Sequence, residues 1–134
     1  MKVHSGFGPG LLERPYHACL KHELISRGLN TLSEVAMPVV YRRIEIDIGY
    51  RVDLIVEDSI IIEVKSVFAL APIHRVQLLT YLRLSDKPLG LLFNFGAAHL
   101  KDGISRVINS PSATFAPSEK PLRLTKNDPT FSQY

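Results

Sequence analysis

Three charged residues have the types and the spacing of a metal-dependent hydrolase site. Asp53 follows Val52, and Glu63-Val64-Lys65 begins ten residues later, each group inside an apolar run typical of a strand. Charges in such runs cost free energy unless they are paired or coordinate a metal. Two carboxylates with a lysine beside them could hold magnesium against a phosphodiester and orient the attacking water.

The relative positions of these residues depend on one hairpin loop. If Val56 pairs with Ile60 across a three-residue loop, Asp53 lies opposite Glu63 and shares a face with Lys65. A two-residue loop would instead put the two carboxylates on opposite faces. Carboxylates that face each other repel unless a cation lies between them. The alternative interpretation is a solvated surface on which they pair with neighbouring basic side chains.

A predicted helix over 72–84, opened by Pro72, carries two further candidates. Gln77 and Tyr81 are four residues apart and therefore lie on one helical face, where they could bind phosphate or position a base. The alternative is the polar margin of an amphipathic helix. The apolar residues expected to form its buried stripe are Ile73, Val76, Leu79 and Leu82.

The remaining pattern predicts an α/β fold around a mixed sheet. A first helix over 11–27 ends at Gly28, with Pro15 tolerated in its first turn. Residues 1–108 are expected to form one domain, and residues 109–134 an irregular segment rich in proline and serine. Strands are predicted over 35–41, 44–48, 52–56, 60–67 and 89–95, and a short helix over 100–108.

Composition excludes few function classes, but it bears on the expected partners and cellular compartment. The chain has 134 residues, 46% apolar and 22% charged, with a formal charge of +3, which permits a polyanionic partner without requiring one. The single Cys19 excludes an intramolecular disulfide. No run is long enough to span a membrane and no leader-like segment is present, so a cytoplasmic setting is expected. The histidines other than His74, which are His4, His17, His22 and His99, are interpreted as surface or packing residues.

Taken together, the motifs closely resemble the GxxExxY family of the PD-(D/E)XK nuclease superfamily. The naming motif is Gly10-Leu-Leu-Glu13-Arg-Pro-Tyr16, and the nuclease motif is Val52-Asp53 with Glu63-Val64-Lys65. The segment Gln77-Leu-Leu-Thr-Tyr81 is similar to the QxxxY helix of the RecB-like branch. The resemblance extends over residues 8–109.

This resemblance implies a restriction-endonuclease-like αβββαβ core, with a central mixed sheet flanked by helices. It implies that Asp53, Glu63 and the Val64 carbonyl bind Mg²⁺, with Mn²⁺ as a substitute, and that Glu13 is an additional acidic ligand or base. Lys65 would orient water or offset charge, and Gln77 and Tyr81 would be auxiliary site residues.

Three functions remain open at this point. The first is a magnesium-dependent nuclease, with DNA favoured over RNA as its substrate. The second is a module on a nuclease fold that binds nucleic acid or a protein without cutting it. The third is a small homo-oligomer assembled through a strand edge or the C-terminal segment.

Overall fold

A five-stranded mixed sheet flanked by helices forms the centre of the protein. The computed structural model describes residues 6 and 12–110, and the backbone of 122–125. In chain order the elements are α1 Glu13–Ser26, β1 Thr31–Ala36, β2 Val39–Tyr41, β3 Ile44–Asp47, β4 Arg51–Val56, β5 Ile60–Lys65, α2 Pro72–Ser85, β6 Leu89–Asn94, α3 Leu100–Gly103, β7 Ile104–Ile108 and β8 Leu122–Thr125.

The strand order places β5 at the centre. The order is β1-β4-β5-β6-β7, antiparallel except for the parallel pair β5–β6, which α2 connects. Ile62 packs in the core with Tyr16 of α1, whereas Ile61 packs in a second core with Leu78 of α2. The α/β prediction and the expectation of a central strand covered on both faces are therefore confirmed.

The end of α1 follows the predicted glycine cap. Gly28 has φ +79°, and its N–H donates to the Ile25 carbonyl at 2.9 Å, while the Leu29 N–H donates to the Leu24 carbonyl at 3.1 Å. These two bonds form a Schellman motif, which satisfies carbonyls that the helix leaves unpaired. Pro15 lies in the first turn of α1, where its missing N–H costs no helical hydrogen bond.

The strand predicted over 35–41 is wrong in its extent. β1 ends at Ala36 and β2 begins at Val39, with Pro38 between them. β1 pairs with β4 in the five-stranded sheet, whereas β2 pairs with β3 in a separate three-stranded sheet. Proline has no N–H to donate to a ladder, so the chain changes sheets at this point.

The helix predicted over 100–108 is also wrong beyond its first turn. Only Leu100–Gly103 is helical, and Ile104–Ile108 pairs with β6 as strand β7. A Cβ on Gly103 would lie 2.3 Å from the Asn94 carbonyl oxygen, so this tight turn requires glycine. Within the segment predicted to be irregular, Leu122–Thr125 forms β8 and pairs with β3; the rest of 111–134 lies outside the described residues.

The buried stripe of α2 differs from the prediction. Leu78, Tyr81 and Leu82 are its buried residues, whereas Ile73 and Val76 are 65% and 58% exposed. Residues 78, 81 and 82 pack against the sheet and so fix the rotation of the helix about its axis. Residues 73 and 76 are therefore turned away from the core and toward solvent.

Candidate active site

The β4–β5 hairpin has the register on which the site prediction depended. Val56 pairs with Ile60 and Leu54 with Ile62, across a turn at residues 57–59. Glu57 and Asp58 both have positive φ values, 53° and 54°. The three-residue loop is therefore confirmed, and continuing this register places Asp53 opposite Glu63.

At Asp53 and Glu63 the ladder is replaced by bonds between side chains and backbone. The Asp53 N–H donates to Glu63 Oε1 at 3.1 Å, and the Val64 N–H donates to Asp53 Oδ2 at 2.7 Å. Each carboxylate thus holds the opposite strand. The other oxygens, Oδ1 of Asp53 and Oε2 of Glu63, are not used in these bonds.

Strand β4 also rotates at Asp53. Val52 packs in the core beside α2, but Leu54, two residues later, packs in the core beside α1. Glu34, which lies across from Asp53 on β1, has φ +51°. At the same residue, the Asp53 carbonyl accepts a hydrogen bond at 3.0 Å from Nε2 of His17 on α1.

Burial and the nearby charge of Asp53 destabilise the ionised form of Glu63. The residue is 6% exposed, and burial followed by the neighbouring Asp53 raises its pKa to about 8. Glu13, the first residue of α1, is close enough to respond to the same charges. Burial raises the pKa of Glu13, the charge of Lys65 lowers it, and Asp53 raises it further.

The backbone after Lys65 is held by β6. The Lys65 carbonyl accepts from the Phe95 N–H at 2.8 Å. The Asn94 amide, 3% exposed, donates to the Val67 carbonyl at 2.9 Å and accepts from the Val67 N–H at 3.0 Å. A Cβ on Gly96 would lie 2.3 Å from the Val67 carbonyl oxygen, so the two segments meet backbone to backbone.

Helix α2 contributes the remaining polar groups. Gln77 Nε2 donates to the Tyr81 hydroxyl at 3.0 Å. Burial raises the pKa of Tyr81, and the charge of Glu63 raises it further, so the phenol is protonated at neutral pH. The Tyr50 ring meets the Tyr81 ring edge-on at a centroid distance of 6.5 Å.

An open cleft of about 420 Å³ gives access to Asp53 from the side of α1. Glu13, Arg14, His17 and Glu34 line it together with Asp53. A ligand in this cleft would contact both the entrance of α1 and the strand that carries the aspartate.

The structure brings most of the predicted residues together. Asp53, Glu63 and Val64 are joined by hydrogen bonds, and charge interactions link Glu13 and Lys65 to them. The charge of Glu63 raises the pKa of Tyr81, and Gln77 donates a hydrogen bond to the Tyr81 hydroxyl. Tyr16 of the naming motif is instead fully buried and stacks on Phe95 at 4.5 Å, which is a packing role.

Two positioning residues were missed by sequence reasoning. His17 was interpreted as a surface or packing histidine, but its ring bonds the backbone of Asp53. Its spacing of four from Glu13, on the same helical face, was the available signal. Nothing in the sequence pointed to Asn94. Its partner Val67 is distant in sequence, and its bond with the Gly96 N–H depends on the conformation of the loop.

The donor set fits a hard divalent cation that keeps part of its water shell. Among residues 12–110, no three histidine, cysteine, aspartate or glutamate side chains form a ready-made cluster. Mg²⁺ commonly takes one or two carboxylates and completes its octahedron with water and phosphate. The pair Asp53 and Glu63 meets that requirement, and a cation there would offset the repulsion that raises the Glu63 pKa.

Comparison with known families identifies the class of protein. The family model of the PD-(D/E)XK nuclease superfamily matches residues 1–107, and the chain belongs to that superfamily. Its five-stranded mixed sheet flanked by helices is consistent with a restriction-endonuclease-like fold. Comparisons with curated proteins and with solved structures give no match. In the described part of the chain, no helix is long and apolar enough to cross a membrane.

Proposed function

We propose that the protein is a magnesium-dependent nuclease of the GxxExxY type, in the RecB-like branch, that hydrolyses phosphodiester bonds of DNA in preference to RNA. The supporting observation is the pair Asp53 and Glu63, in which each carboxylate accepts a hydrogen bond from the backbone of the opposite strand. Burial of Glu63 and repulsion by Asp53 raise the pKa of Glu63 to about 8. Membership of a nuclease superfamily supports the same reaction class.

Asp53, Glu63 and Val64 would hold the metal. Oδ1 of Asp53 and Oε2 of Glu63 are the carboxylate oxygens that do not accept the hydrogen bonds from the backbone N–H groups of Val64 and Asp53. The N–H and C=O of one extended residue point to the same side of its strand, so the Val64 carbonyl would point to the side where the Val64 N–H meets Asp53. Glu13 would act from the helix entrance as an outer acidic ligand or base. When bound, Mg²⁺ polarises the phosphoryl oxygen and lowers the pKa of a coordinated water.

Lys65, Gln77 and Tyr81 would act on the substrate beside this centre. The Lys65 ammonium shares a face with Glu63, where it would orient the attacking water and offset negative charge on the phosphorane-like transition state. The Tyr81 hydroxyl, oriented by Gln77 and protonated at neutral pH, can donate a hydrogen bond to a phosphate oxygen.

The test is cleavage of labelled single-stranded and double-stranded DNA and RNA with Mg²⁺, with Mn²⁺ and with EDTA. Asp53→Ala and Lys65→Ala, purified in parallel, should each lose about 100-fold or more of the rate. Lys101→Ala, at an exposed position on α3, is the matched control and should keep full activity.

Two results would contradict the proposal. Cleavage that survives both substitutions would place the activity elsewhere or in a contaminant. Nucleic-acid binding without cleavage under either metal would support the alternative of a binding module on a nuclease fold.

A further inference from the structure

Beside the carboxylates, α2 leaves an apolar groove open to solvent. The groove has a volume of about 220 Å³, and its apolar and aromatic walls are formed by Val39, Tyr50, Ile73, Val76, Tyr81 and Leu84. Ile73 and Val76 are more than half exposed, and Tyr50 is 47% exposed. Exposed apolar residues gathered in one concave place mark a binding site more often than scattered ones do.

The groove adjoins the strand that carries Asp53. Tyr81 forms part of its wall and packs in one core cluster with Val52, the residue before Asp53. Tyr50, on the opposite wall, contacts the Tyr81 ring edge-on. A nucleic acid whose phosphate lies at Asp53 and Glu63 would therefore have a neighbouring nucleotide at the mouth of the groove.

Two of the polar side chains along the groove donate hydrogen bonds within the protein. Thr80 Oγ1 donates to the Val76 carbonyl at 3.0 Å, and the Gln77 amide donates to Tyr81. A ligand would meet mainly ring faces and aliphatic side chains. Such a surface accepts a planar aromatic ring by stacking and discriminates weakly between the four bases.

We propose that this groove binds one unpaired nucleobase of the substrate, next to the phosphate that is cut. A paired base is stacked between its neighbours and cannot enter a side groove without being extruded. The substrate is therefore a single strand, or a strand with an unpaired nucleotide beside the scissile bond. This inference rests on the proposed nuclease function and adds its substrate class.

Binding and cleavage can be tested separately. In a Lys65→Ala background, which should not cut, affinity is measured for a single strand of about 12 nucleotides and for the matching duplex. The single strand carries one 2-aminopurine, whose fluorescence falls when it stacks. The variants are Tyr50→Ala and Val76→Ala. Their controls are Tyr41→Ala and Ile108→Ala, which have the same exposures, 47% and 58%, outside the groove.

Tyr50→Ala should weaken binding of the single strand by about 5- to 100-fold, which is the effect of losing one base–aromatic stack. Val76→Ala should weaken it less. Both groove variants should reduce the 2-aminopurine quenching, and both controls should leave it unchanged. Changing the base at this position should alter affinity by about threefold or less.

Three results would overturn the inference. The first is an equal loss of duplex and single-strand affinity in Tyr50→Ala. The second is no difference between groove and control variants. The third is a change of oligomeric state in the groove variants, which would show that a second copy of the chain occupies the groove. If the wild type fails to cut any nucleic acid while these binding results hold, the nuclease proposal fails and the groove remains a nucleobase site.

Discussion

His17 donates a hydrogen bond from Nε2 to the backbone carbonyl of Asp53 at 3.0 Å, and this bond joins α1 to the strand that carries the aspartate. A carbonyl can only accept, so the ring nitrogen facing it carries a proton. The bond lies where β4 rotates out of its ladder, so it helps to set the direction of the Asp53 side chain.

Replacing His17 should therefore weaken metal binding without unfolding the protein. We expect His17→Ala to lower the Mg²⁺ affinity by about 10-fold or more, the usual effect of losing a partner that orients a ligand. His17→Gln, which can still donate, should recover part of it. Isothermal titration with Mg²⁺ is the measurement, and His22→Ala, at an exposed position on the same helix, is the control. Equal affinities for wild type and His17→Ala would remove the positioning role.

Glu63 should make the metal-free protein less stable as the pH rises. Below pH 4.5 the carboxyl is protonated in both the folded and the unfolded chain. Above it the unfolded chain releases its proton first, while the folded chain keeps it until about pH 8. The free energy of unfolding must therefore fall across that window as the pH increases.

Denaturant unfolding in EDTA between about pH 5 and pH 9 would show this slope. In Glu63→Gln the part due to this carboxyl should vanish, so the variant should gain stability relative to wild type at high pH. Glu23→Gln, which removes only a partly exposed helical ion pair at 3.8 Å, should keep the wild-type slope. A wild-type slope that persists in Glu63→Gln would assign it to other groups.

The same group predicts that metal binding releases a proton. Below pH 8 the folded protein carries a neutral Glu63, which must ionise to become a ligand. Apparent Mg²⁺ affinity should rise by up to about tenfold per pH unit toward pH 8 and then level off. Titrations in buffers of different ionisation enthalpy would count the protons released. A pH-independent affinity would exclude Glu63 as a ligand that titrates on binding.

The sequence predicted the hairpin and its shared face but not the bonds within it. The register followed from assuming a three-residue loop, although only Asp58 of its two positive-φ residues is of a type that often adopts this conformation, and Glu57 is not. The rotation of β4 could not be anticipated, because it involves Glu34 on β1 and His17 on α1, which only the folded chain brings near Asp53. The exposure of Ile73 was missed because hydrophobic periodicity predicts that a helix has an apolar face, whereas tertiary packing decides which of the apolar residues are buried.

Gly96 should be intolerant of alanine for a steric reason. A Cβ there would meet the Val67 carbonyl oxygen at 2.3 Å, so the segment that follows Lys65 would have to move. We expect Gly96→Ala to cost about 1–3 kcal/mol in the free energy of unfolding and to lower cleavage as well. Gly28→Ala is the contrasting control, because Gly28 has φ +79° but nothing within 4 Å of its Cβ position. It should cost about 1 kcal/mol and leave cleavage intact. Equal effects of the two variants on cleavage would contradict the role of this contact in holding Lys65.

Gln77 and Tyr81 should act as one unit in cleavage. The Gln77 amide donates to the Tyr81 hydroxyl, and the charge of Glu63 raises the pKa of that hydroxyl, so Gln77 would act by orienting it. Tyr81→Phe keeps the buried ring and removes only the hydroxyl, and should lower kcat by about tenfold, the effect of one hydrogen bond to a charged group. Gln77→Ala should lower it less.

A double-mutant cycle then distinguishes orientation from direct contact. If Gln77 works only through Tyr81, the double variant should be no slower than Tyr81→Phe alone, because the group that Gln77 orients is already gone. Additive losses in kcat would show instead that Gln77 contacts the substrate itself. Thermal unfolding of each variant keeps the comparison interpretable, since an exposed Gln77 should contribute little to stability while the Tyr81 ring remains packed.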